Sequence, residues 1–438
     1  MTTASFPMKR HSLAFYFLTA AFALLTLNSC KKDKYDDHPS SHTAEVLDKW
    51  MTLQLRLMRN ATGVPNQAFA RHYAYSGVAA VEALRPGYLQ FSRWQNRWNG
   101  LSGLPHADQK QKYFYPANIN AAMASMNRAF FPNASAADKA AIDSLENVLY
   151  ANFPIQESVK TASAAFGKAV ATAVFTWAET DGYKNANQSY TPPTGPGLWK
   201  PTAPGMTAAT PFWGNNRTII HNSTQNTQPL APTAYSTEPT DAFYKMAKQV
   251  YDVSQSLTDD QKAMALFWRD VPGATSPGHW LSILQQVIRK KNTSLDHAAL
   301  AYALTGIAIN DALVSCFETK YKYNLVRPIT YIREVMGHSS WNPFLGTPAH
   351  PEYSSAHSAL SAAAASILEK LFGNSGELTD YTYDYLGFAP RTYASFKAIG
   401  EEAGQSRLYA GIHYQLSIDV GLTQGRKVAD NILPGNYQ

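Results

Sequence analysis

The amino-acid sequence predicts an all-α protein, and three observations lead to that prediction. Apolar side chains recur at the spacing of one helix face from about residue 43 to 182 and again from 241 to 431. No stretch shows a convincing alternation of apolar and polar residues, the pattern of a half-buried strand. The 438 residues are 45% hydrophobic and 12% aromatic, which suffices for a large packed core. We therefore expect a bundle of packed helices.

Composition also argues against several classes of function. The two cysteines, Cys30 and Cys316, allow neither a thiolate metal cluster nor a disulfide framework. The formal net charge of +6 is mild, and no block of five or six like charges occurs, so no nucleic-acid partner is expected. Cys316 falls within an apolar helical pattern, and we interpret it as a buried free thiol.

The first 29 residues have the pattern of a signal peptide. Two basic residues precede an apolar run from Leu13 to Leu27, which has the length of a signal sequence's hydrophobic region. The Leu-Asn-Ser sequence before Cys30 resembles a bacterial lipoprotein signal and implies lipidation of Cys30; a plain secretory signal is the alternative. We expect residues 30–42 to form a polar tether. The lipid alone would then hold the protein in the bacterial cell envelope, at the periplasmic or outer-membrane face.

Residues 43–240 are expected to form an N-terminal helical region that ends in a proline-rich loop at 183–240. Positions 191–240 hold nine of the chain's 25 prolines, so no regular element can persist there. The segment also contains Trp199, Phe212 and Trp213, which are large aromatic residues of a kind that free linkers lack. We interpret it as a long ordered loop wrapped over the body, with a disordered hinge as the alternative.

The second helical region, 241–438, concentrates basic and imidazole side chains in three short segments. These are residues 320–328, 351–358 and 406–413. Pro328 is expected to stop the helix that begins near Leu295, so that Lys320 and Arg327 lie near its end on almost the same face. Ser355 is expected to cap the next helix, whose free N–H groups offer an anion site.

Together the three segments describe a pocket for a multiply charged oxyanion. Arginine offers planar bidentate donors to a tetrahedral oxyanion, and lysine adds a point charge. Lys320, Arg327 and Arg407 supply three cations, while His357 and His413 can divide the work into a nucleophile or ligand and a general acid–base. Taken singly, each has a simpler explanation as a solvated cation at a helix end or as a satisfied core histidine. Their combination favours the pocket.

The same residues resemble the three-part signature shared by type 2 phosphatidic acid phosphatases and vanadium-dependent haloperoxidases. The matching pieces are Lys320-x6-Arg327-Pro328, Ser355-Ala356-His357 and Ser406-Arg407-x5-His413. Three further stretches resemble the haloperoxidase branch: Phe267 to Gly273, Pro277 to Trp280, and Gly195 to Thr202. The resemblance covers about residues 45 to 433 and implies a helical bundle of the acid phosphatase and haloperoxidase type.

The resemblance also implies a role for each matching residue. The oxygens of vanadate or phosphate would be bound by Lys320, Arg327, Ser355, the amide of Ala356, and Arg407. His413 would coordinate vanadium or, in a phosphatase, attack phosphorus to form a phosphohistidine. His357 would be the acid–base group, and Lys320 would polarise the bound peroxide. The substrates would be hydrogen peroxide and a halide, with vanadate as cofactor, or a phosphate ester with no cofactor.

Three positions depart from the family pattern or leave a choice open. Ala356 stands where the family has glycine, but alanine keeps the N–H group, so anion binding survives if its φ is negative. Ser417 stands in place of the aspartate that ordinarily holds the metal-binding histidine, and Asp419 is two residues further on. His350 lies where haloperoxidases carry a residue that tunes halide oxidation; a simple loop histidine is the alternative.

Two other polar residues are expected to be structural. Asp311 lies on the apolar stripe of the helix that carries Lys320, where a buried acid needs a partner, and we expect a salt bridge within the core; a catalytic role is the alternative. His279 is expected to pack structurally, the alternative being a place at the entrance of the pocket.

Three hypotheses follow for function. The leading one is a vanadate-dependent haloperoxidase, because the long N-terminal helical region and the proline-rich loop resemble that branch. A phosphatase using the same pocket is the second; the lipid-phosphatase branch has several membrane spans that this pattern lacks. A non-catalytic oxyanion-binding lipoprotein is the third, and only Ser417 supports it. The sequence leaves the halide, the organic substrate and the oligomeric state open.

Overall fold

The computed structural model describes residues 1–3, 38–87, 92–374 and 376–435. Met1–Asp37 and His38–Gln438 form two separate units, and the second is described here. The predicted signal peptide apart from residues 1–3, the lipidation site Cys30 and most of the predicted tether lie outside the described residues. Their assignments therefore stay predictions.

The described chain is built almost entirely from α-helices, which confirms the all-α prediction. In chain order the helices are α1 (Glu45–Asn60), α2 (Asn66–Ala83), α3 (Ser92–Gln95), α4 (Tyr115–Phe130), α5 (Ala136–Asn152), α6 (Glu157–Ala178), α7 (Ala242–Ser254), α8 (Asp259–Phe267), α9 (Ser276–Lys291), α10 (Leu295–Tyr323), α11 (Pro328–Glu334), α12 (Ala356–Phe372), α13 (Phe396–Tyr409) and α14 (Gln415–Ile432). Short 3₁₀ turns occur at Pro39–Ser41, Arg85–Gly87, Tyr183–Asn185, Trp213–Asn215 and Asp384–Leu386.

One small sheet departs from the expectation that strands are absent. Strands β1 (Leu378–Asp380) and β2 (Arg391–Tyr393) pair antiparallel, with Thr379 opposite Thr392. Each strand has three residues, which is too short for an alternating pattern to be visible in the sequence. The pair connects α12 to α13 and leaves the helical architecture unchanged.

Helix α10 is the centre of the fold. It packs against α2 and α12, which come from opposite sides of the predicted boundary at residue 240. Among the described residues it is the one helix long and apolar enough to cross a membrane, but its most apolar stretch is wholly buried in the protein. We therefore assign α10 as a core helix, and it presents Lys320 from its last turn.

Two glycines allow α2 and α10 to approach at backbone distance. A Cβ atom placed on Gly77 of α2 would lie 2.4 Å from the Cα atom of Ala303, and one placed on Gly306 would lie 2.7 Å from the ring of Tyr73. Such distances do not occur between real carbon atoms, so neither position has room for a side chain. The close approach fixes the axis of the helix that carries Lys320.

The proline-rich segment lies against the helical body. Trp199 and Trp213 are buried, and the segment joins the chain near the predicted anion pocket through main-chain hydrogen bonds. The N–H of Trp199 donates to the carbonyl of Asn324 (2.6 Å), and the N–H of Val326 donates to the carbonyl of Gly197 (2.9 Å). The segment thereby holds the turn that precedes Arg327.

The salt bridge expected for Asp311 is wrong. The Asp311 carboxylate is fully buried and accepts hydrogen bonds from the main-chain N–H groups of Ile219 (3.0 Å) and Ile220 (3.2 Å). The hydroxyl of Ser223 (2.7 Å) and the amide of Asn310 (3.0 Å) also donate to it. These donors satisfy a buried carboxylate without a cation. Burial raises the pKa of Asp311 to about 6, against the opposing effect of these hydrogen bonds.

We predict that Asp311→Ala loosens the proline-rich segment. The substitution leaves two buried N–H groups and a hydroxyl unpaired, and each unpaired group costs about 1–3 kcal/mol. The free energy of unfolding should fall by about 3 kcal/mol or more, and limited proteolysis should cut within residues 183–240. Asp311→Asn keeps the shape of the side chain and one acceptor oxygen. Its stability and protease resistance should lie between those of the wild type and of Asp311→Ala. Wild-type stability and protease resistance in the alanine variant would contradict this role.

Candidate active site

The residues of the predicted pocket are brought together by three breaks between helices, which lie between α10 and α11, before α12, and between α13 and α14, where His413 is found. Asn324 adopts a left-handed conformation (φ 45°) that ends α10 at Tyr323, so Pro328 opens α11 and does not stop the preceding helix as expected. Arg327 is the residue that caps α11. Ser355 caps α12, and its hydroxyl accepts a hydrogen bond from the N–H of Ser358 (3.3 Å).

A cavity of about 510 Å³ lies at the meeting point of these segments. Its wall includes His350, Ala356, His357, Arg407 and His413, together with residues at the start of α2 and in the segment after α8. Lys320, Arg327 and Ser355 are fully buried directly behind this wall. All eight residues singled out in the sequence therefore belong to one site.

His413 presents the lone pair of Nε2 in the direction of Arg327. The guanidinium Nη1 of Arg327 lies 3.2 Å from Nε2, and because arginine can only donate, Nε2 must be the acceptor. The proton therefore resides on Nδ1, which lies 2.7 Å from Oε1 of Glu352. Burial, together with the charges of Arg327 and Lys320, holds the pKa of His413 well below its usual range. The ring is thus neutral, and its Nε2 lone pair can bind a metal or phosphorus when the N–H of Arg327 is exchanged to another acceptor.

His357 has the opposite tautomer. Its Nε2 lies 2.9 Å from the main-chain carbonyl of Trp268, which can only accept, so the proton resides on Nε2 and the lone pair on Nδ1. The Asp270 carboxylate lies 3.6 Å from the same nitrogen. Burial, aided by the charge of Arg407, lowers the pKa of His357 to about 4. At neutral pH this histidine can accept a proton.

Arg407 carries an unsatisfied donor into the site. Its Nη1 donates to the carbonyl of Trp268 (3.1 Å), while its buried Nε–H has no hydrogen-bond partner among the described residues. Unpaired buried donors are uncommon in folded proteins because each one costs free energy. An oxyanion in the cavity would satisfy this group. Burial lowers the pKa of Arg407 to about 10, which leaves it charged at neutral pH.

Lys320 is committed to the main chain. Its ammonium group donates to the carbonyls of Pro351 (3.0 Å), Glu352 (3.0 Å) and Ser354. These three bonds use all three of its protons, so a direct bond to an oxyanion requires one of them to be exchanged. Burial lowers the pKa of Lys320 to about 8. Lys320 therefore loses its charge as the pH rises through about 8.

His350 lies in the cavity wall and is buried. Its Nδ1 lies 3.0 Å from Nη2 of Arg327, which is a donor, and 3.2 Å from the carbonyl of Pro351, which is an acceptor, so both tautomers find a partner there. Burial and the nearby cations Lys320 and Arg327 hold the pKa of His350 well below its usual range. The placement is consistent with the site-tuning interpretation of His350.

Glu352 is a site residue that sequence reasoning missed. Its carboxylate is fully buried and accepts from Nδ1 of His413, from the N–H of Tyr414 (3.0 Å) and from the hydroxyl of Ser417. Asp419 cannot serve this role because it is exposed and accepts from the Gln415 amide (2.9 Å). The signal that could have found Glu352 is the presence of an acid within one of the three segments of a strongly cationic cluster.

The segment from Phe267 to Gly273 supports the site through Trp268. The Trp268 carbonyl holds both His357 and Arg407. Its indole stacks on the ring of His279, with centroids 4.1 Å apart, and the Nε2 of His279 lies 2.6 Å from the Asp380 carboxylate. His279 thus has the structural role that was expected.

Comparison with known proteins places this geometry in a family. The chain is similar to a solved bacterial vanadium-dependent iodoperoxidase, with 32% sequence identity and a TM-score of 0.79; the match covers 90% of this chain and 96% of the other. The chain belongs to the vanadium-dependent haloperoxidase family. A model of the second helical-bundle domain of vanadium chloroperoxidases also matches residues 300–435. A search of curated proteins found no match.

Two more distant structures show the same fold. They are the holo and apo forms of a bacterial vanadium-dependent chloroperoxidase, with identities of 17% and 16% and TM-scores of 0.67 and 0.65. The matches cover 86% and 84% of this chain and 92% of each chloroperoxidase. Haloperoxidases are peroxidases, so the leading hypothesis from the sequence, an enzyme of the haloperoxidase branch, is confirmed.

One departure of this haloperoxidase from the family pattern is accommodated by the structure. Ala356 is the first residue of α12, and it is not among the described residues with positive φ. A glycine is therefore not required there, and the N–H group of residue 356 keeps its position at the helix start, where no intrahelical acceptor exists. The condition set for anion binding at this position is met.

We predict that the affinity of this haloperoxidase for sulfate depends on pH through Lys320. Sulfate keeps its charge over the range tested, whereas Lys320 loses its proton as the pH rises through about 8. Sulfate binding measured by calorimetry should weaken as the pH rises from 7 to 9.5. Lys320→Met should bind sulfate weakly at every pH, with a flatter profile. Lys200→Met, which alters an exposed lysine paired with Glu334, is the control and should behave as wild type. An identical pH profile in the Lys320 variant would contradict the prediction.

Proposed function

We propose that this haloperoxidase binds vanadate in the cavity next to His413 and oxidises iodide with hydrogen peroxide. The observation that carries the vanadate proposal is the pairing of a nitrogen lone pair with an unsatisfied donor in a cationic cavity. The lone pair is that of His413 Nε2, which accepts from Arg327, and the donor is the Nε–H of Arg407, which has no partner among the described residues. A metal oxyanion needs one nitrogen ligand and several donors to its oxygens, and this set provides both.

No group of three or more His, Cys, Asp or Glu side chains suited to a metal cation occurs among the described residues. The donor set is dominated by Lys320, Arg327 and Arg407, which disfavours a simple divalent cation and favours an anion. Vanadate combines an anionic oxygen shell with a metal that accepts one histidine nitrogen. The residues present therefore fit vanadate.

When bound, vanadate supplies a pentavalent centre that activates hydrogen peroxide towards a halide without changing its own oxidation state. The protein groups do the rest. Arg407 and the free amide of Ala356 at the start of α12 hold the anion's oxygens. Arg327 and Lys320 balance the negative charge. The Nδ1 lone pair of His357 takes a proton from incoming hydrogen peroxide and can return it later, as a general acid–base catalyst does.

The choice of iodide rests on the likeness to the iodoperoxidase, which is the more similar of the two kinds of relative and matches nearly the whole length of both chains. The chloroperoxidases match at about half that identity. Iodide also demands the least oxidising site of the halides. We therefore expect iodide turnover to exceed bromide and chloride turnover.

We predict that the purified protein oxidises iodide only after it has been loaded with orthovanadate. Added phosphate should compete and lower the rate, because both anions fit the same cationic cavity. His413→Ala should abolish the activity, and His357→Ala should lower it by about 10²–10⁴-fold, as loss of a general acid–base catalyst does. The measurement is the initial rate of peroxide-dependent iodide oxidation, repeated with bromide and chloride.

His338→Ala is the matched control for the histidine variants. His338 stacks on Tyr251, with ring centroids 3.9 Å apart, and it is not part of the cavity wall. It should keep wild-type activity. No iodide oxidation in vanadate-loaded wild-type protein would overturn the proposal, and chloride turnover as fast as iodide turnover would overturn the iodide assignment.

We also propose that the enzyme is a lipoprotein of the bacterial cell envelope, attached through Cys30. The Leu-Asn-Ser-Cys sequence at 27–30 supports this proposal. Cells that express the wild-type chain should yield a mature protein whose N-terminal residue is a lipid-modified Cys30, detected by mass spectrometry in the membrane fraction. Cys30→Ala should release the protein from that fraction or leave it unprocessed. An unmodified, membrane-free wild-type protein would contradict the proposal.

A further inference from the structure

Glu352 contacts two functional groups of the site, one through its side chain and one through its main chain. The carboxylate Oε1 accepts the Nδ1–H of His413, while the carbonyl oxygen accepts from the ammonium group of Lys320 (3.0 Å). The N–H of Glu352 donates to the carbonyl of Leu325 (3.0 Å), just after the end of α10. One residue is therefore fixed on three sides and links the lysine to the histidine.

The carboxylate of Glu352 is surrounded by hydrogen-bond donors. Oε1 also accepts the main-chain N–H of Tyr414, and Oε2 accepts the hydroxyl of Ser417. Burial raises the pKa of the Glu352 carboxyl, and these hydrogen bonds, together with the nearby charges of Arg327 and Lys320, oppose that rise. Every donor next to the carboxylate thus points towards it, and no second acid competes among its hydrogen-bond partners.

The geometry determines which nitrogen of His413 is available. Arg327 approaches Nε2 as a donor, so the single ring proton must lie on Nδ1, and a proton on Nδ1 needs an acceptor in this buried place. Glu352 supplies that acceptor. A carboxylate in this position holds the ring orientation and makes the opposite nitrogen a stronger ligand.

We propose that Glu352 is the positioning residue of His413 in this haloperoxidase. The carboxylate that holds His413 comes from the segment before α12 and not from position 417 in α14, where the family has an aspartate. Ser417 only donates a hydrogen bond to the Glu352 carboxylate. The inference rests on the proposed function, in which Nε2 of His413 bonds vanadium. It assigns to the negative charge of Glu352 a share of the affinity for vanadate.

Vanadate and phosphate together separate this role from a merely structural one. Vanadate binding depends on the bond from Nε2, whereas non-covalent phosphate binding depends on the cations. Glu352→Gln keeps the shape and an acceptor oxygen but removes the charge. Its vanadate affinity, measured by calorimetry, should fall by about 10–100-fold, as loss of such a partner typically does. Its phosphate affinity should stay the same or rise, because a buried negative charge is gone.

Glu334→Gln is the matched control because it removes the same charge from an exposed site paired with Lys200. It should change neither affinity. The ⁵¹V NMR resonance of bound vanadate gives a second readout: it should shift in Glu352→Gln and stay in place in Glu334→Gln. A Glu352→Gln protein that binds both anions as wild type does, or that loses affinity for both alike, would overturn the role of Glu352.

Ser417→Ala provides a second test if Glu352→Gln does not fold, because it removes one donor to the carboxylate. It should lower the affinity for vanadate by a smaller factor and leave the affinity for phosphate unchanged. The ⁵¹V resonance of bound vanadate should shift. No change in either vanadate signal would then count against the inference. Wild-type protein that binds phosphate but not vanadate would overturn the proposed function itself, and this inference with it.

Discussion

Three cations are buried beneath a single cavity, and the surrounding chain is arranged to receive them. Removing a charged group from water is costly unless each of its protons finds an acceptor. Lys320 donates to three carbonyls of the segment 351–354. Arg327 donates to the carbonyls of His350 (2.9 Å) and Ile412 (2.8 Å), and Arg407 donates to the carbonyl of Trp268. The three loops that supply these carbonyls are held in place by the cations that they solvate. The shape of the cavity and its positive charge therefore depend on each other.

The same cations set the state of the histidines. Arg327 can only donate, and it contacts Nε2 of His413, which makes that nitrogen an acceptor. The Trp268 carbonyl can only accept, and it fixes the proton of His357 on Nε2. Two neutral rings, those of His357 and His413, therefore have lone pairs at defined nitrogens. The division of labour between a ligand histidine and a proton-accepting histidine therefore follows from hydrogen-bond partners and not from the residue type.

The sequence permitted prediction of those site residues that lie within a few positions of one another. Lys320 and Arg327, Ser355 and His357, and Arg407 and His413 are each read from local spacing, because helix starts and ends place such neighbours together. Contacts between distant segments leave no such trace. Glu352 lies 61 positions from His413, and Asp311 lies 92 from Ile219. The same limit applies to the helix end at Asn324, since only the folded chain shows that α10 stops before Pro328 has any effect.

The cavity wall joins the two extremes of the described body. Pro65, Asn66 and Gln67 at the start of α2 face the same space as His413, which lies just before the last helix. A ligand that occupies this space binds only when both parts are folded and packed on α10. Its binding free energy is therefore added to the stability of the entire body, by about 2.7 kcal/mol at a hundredfold excess over its dissociation constant. A tetrahedral anion bound in the cavity therefore stabilises the whole fold before it takes part in any reaction. The thermal unfolding temperature of the enzyme reports the fraction of protein that carries the anion.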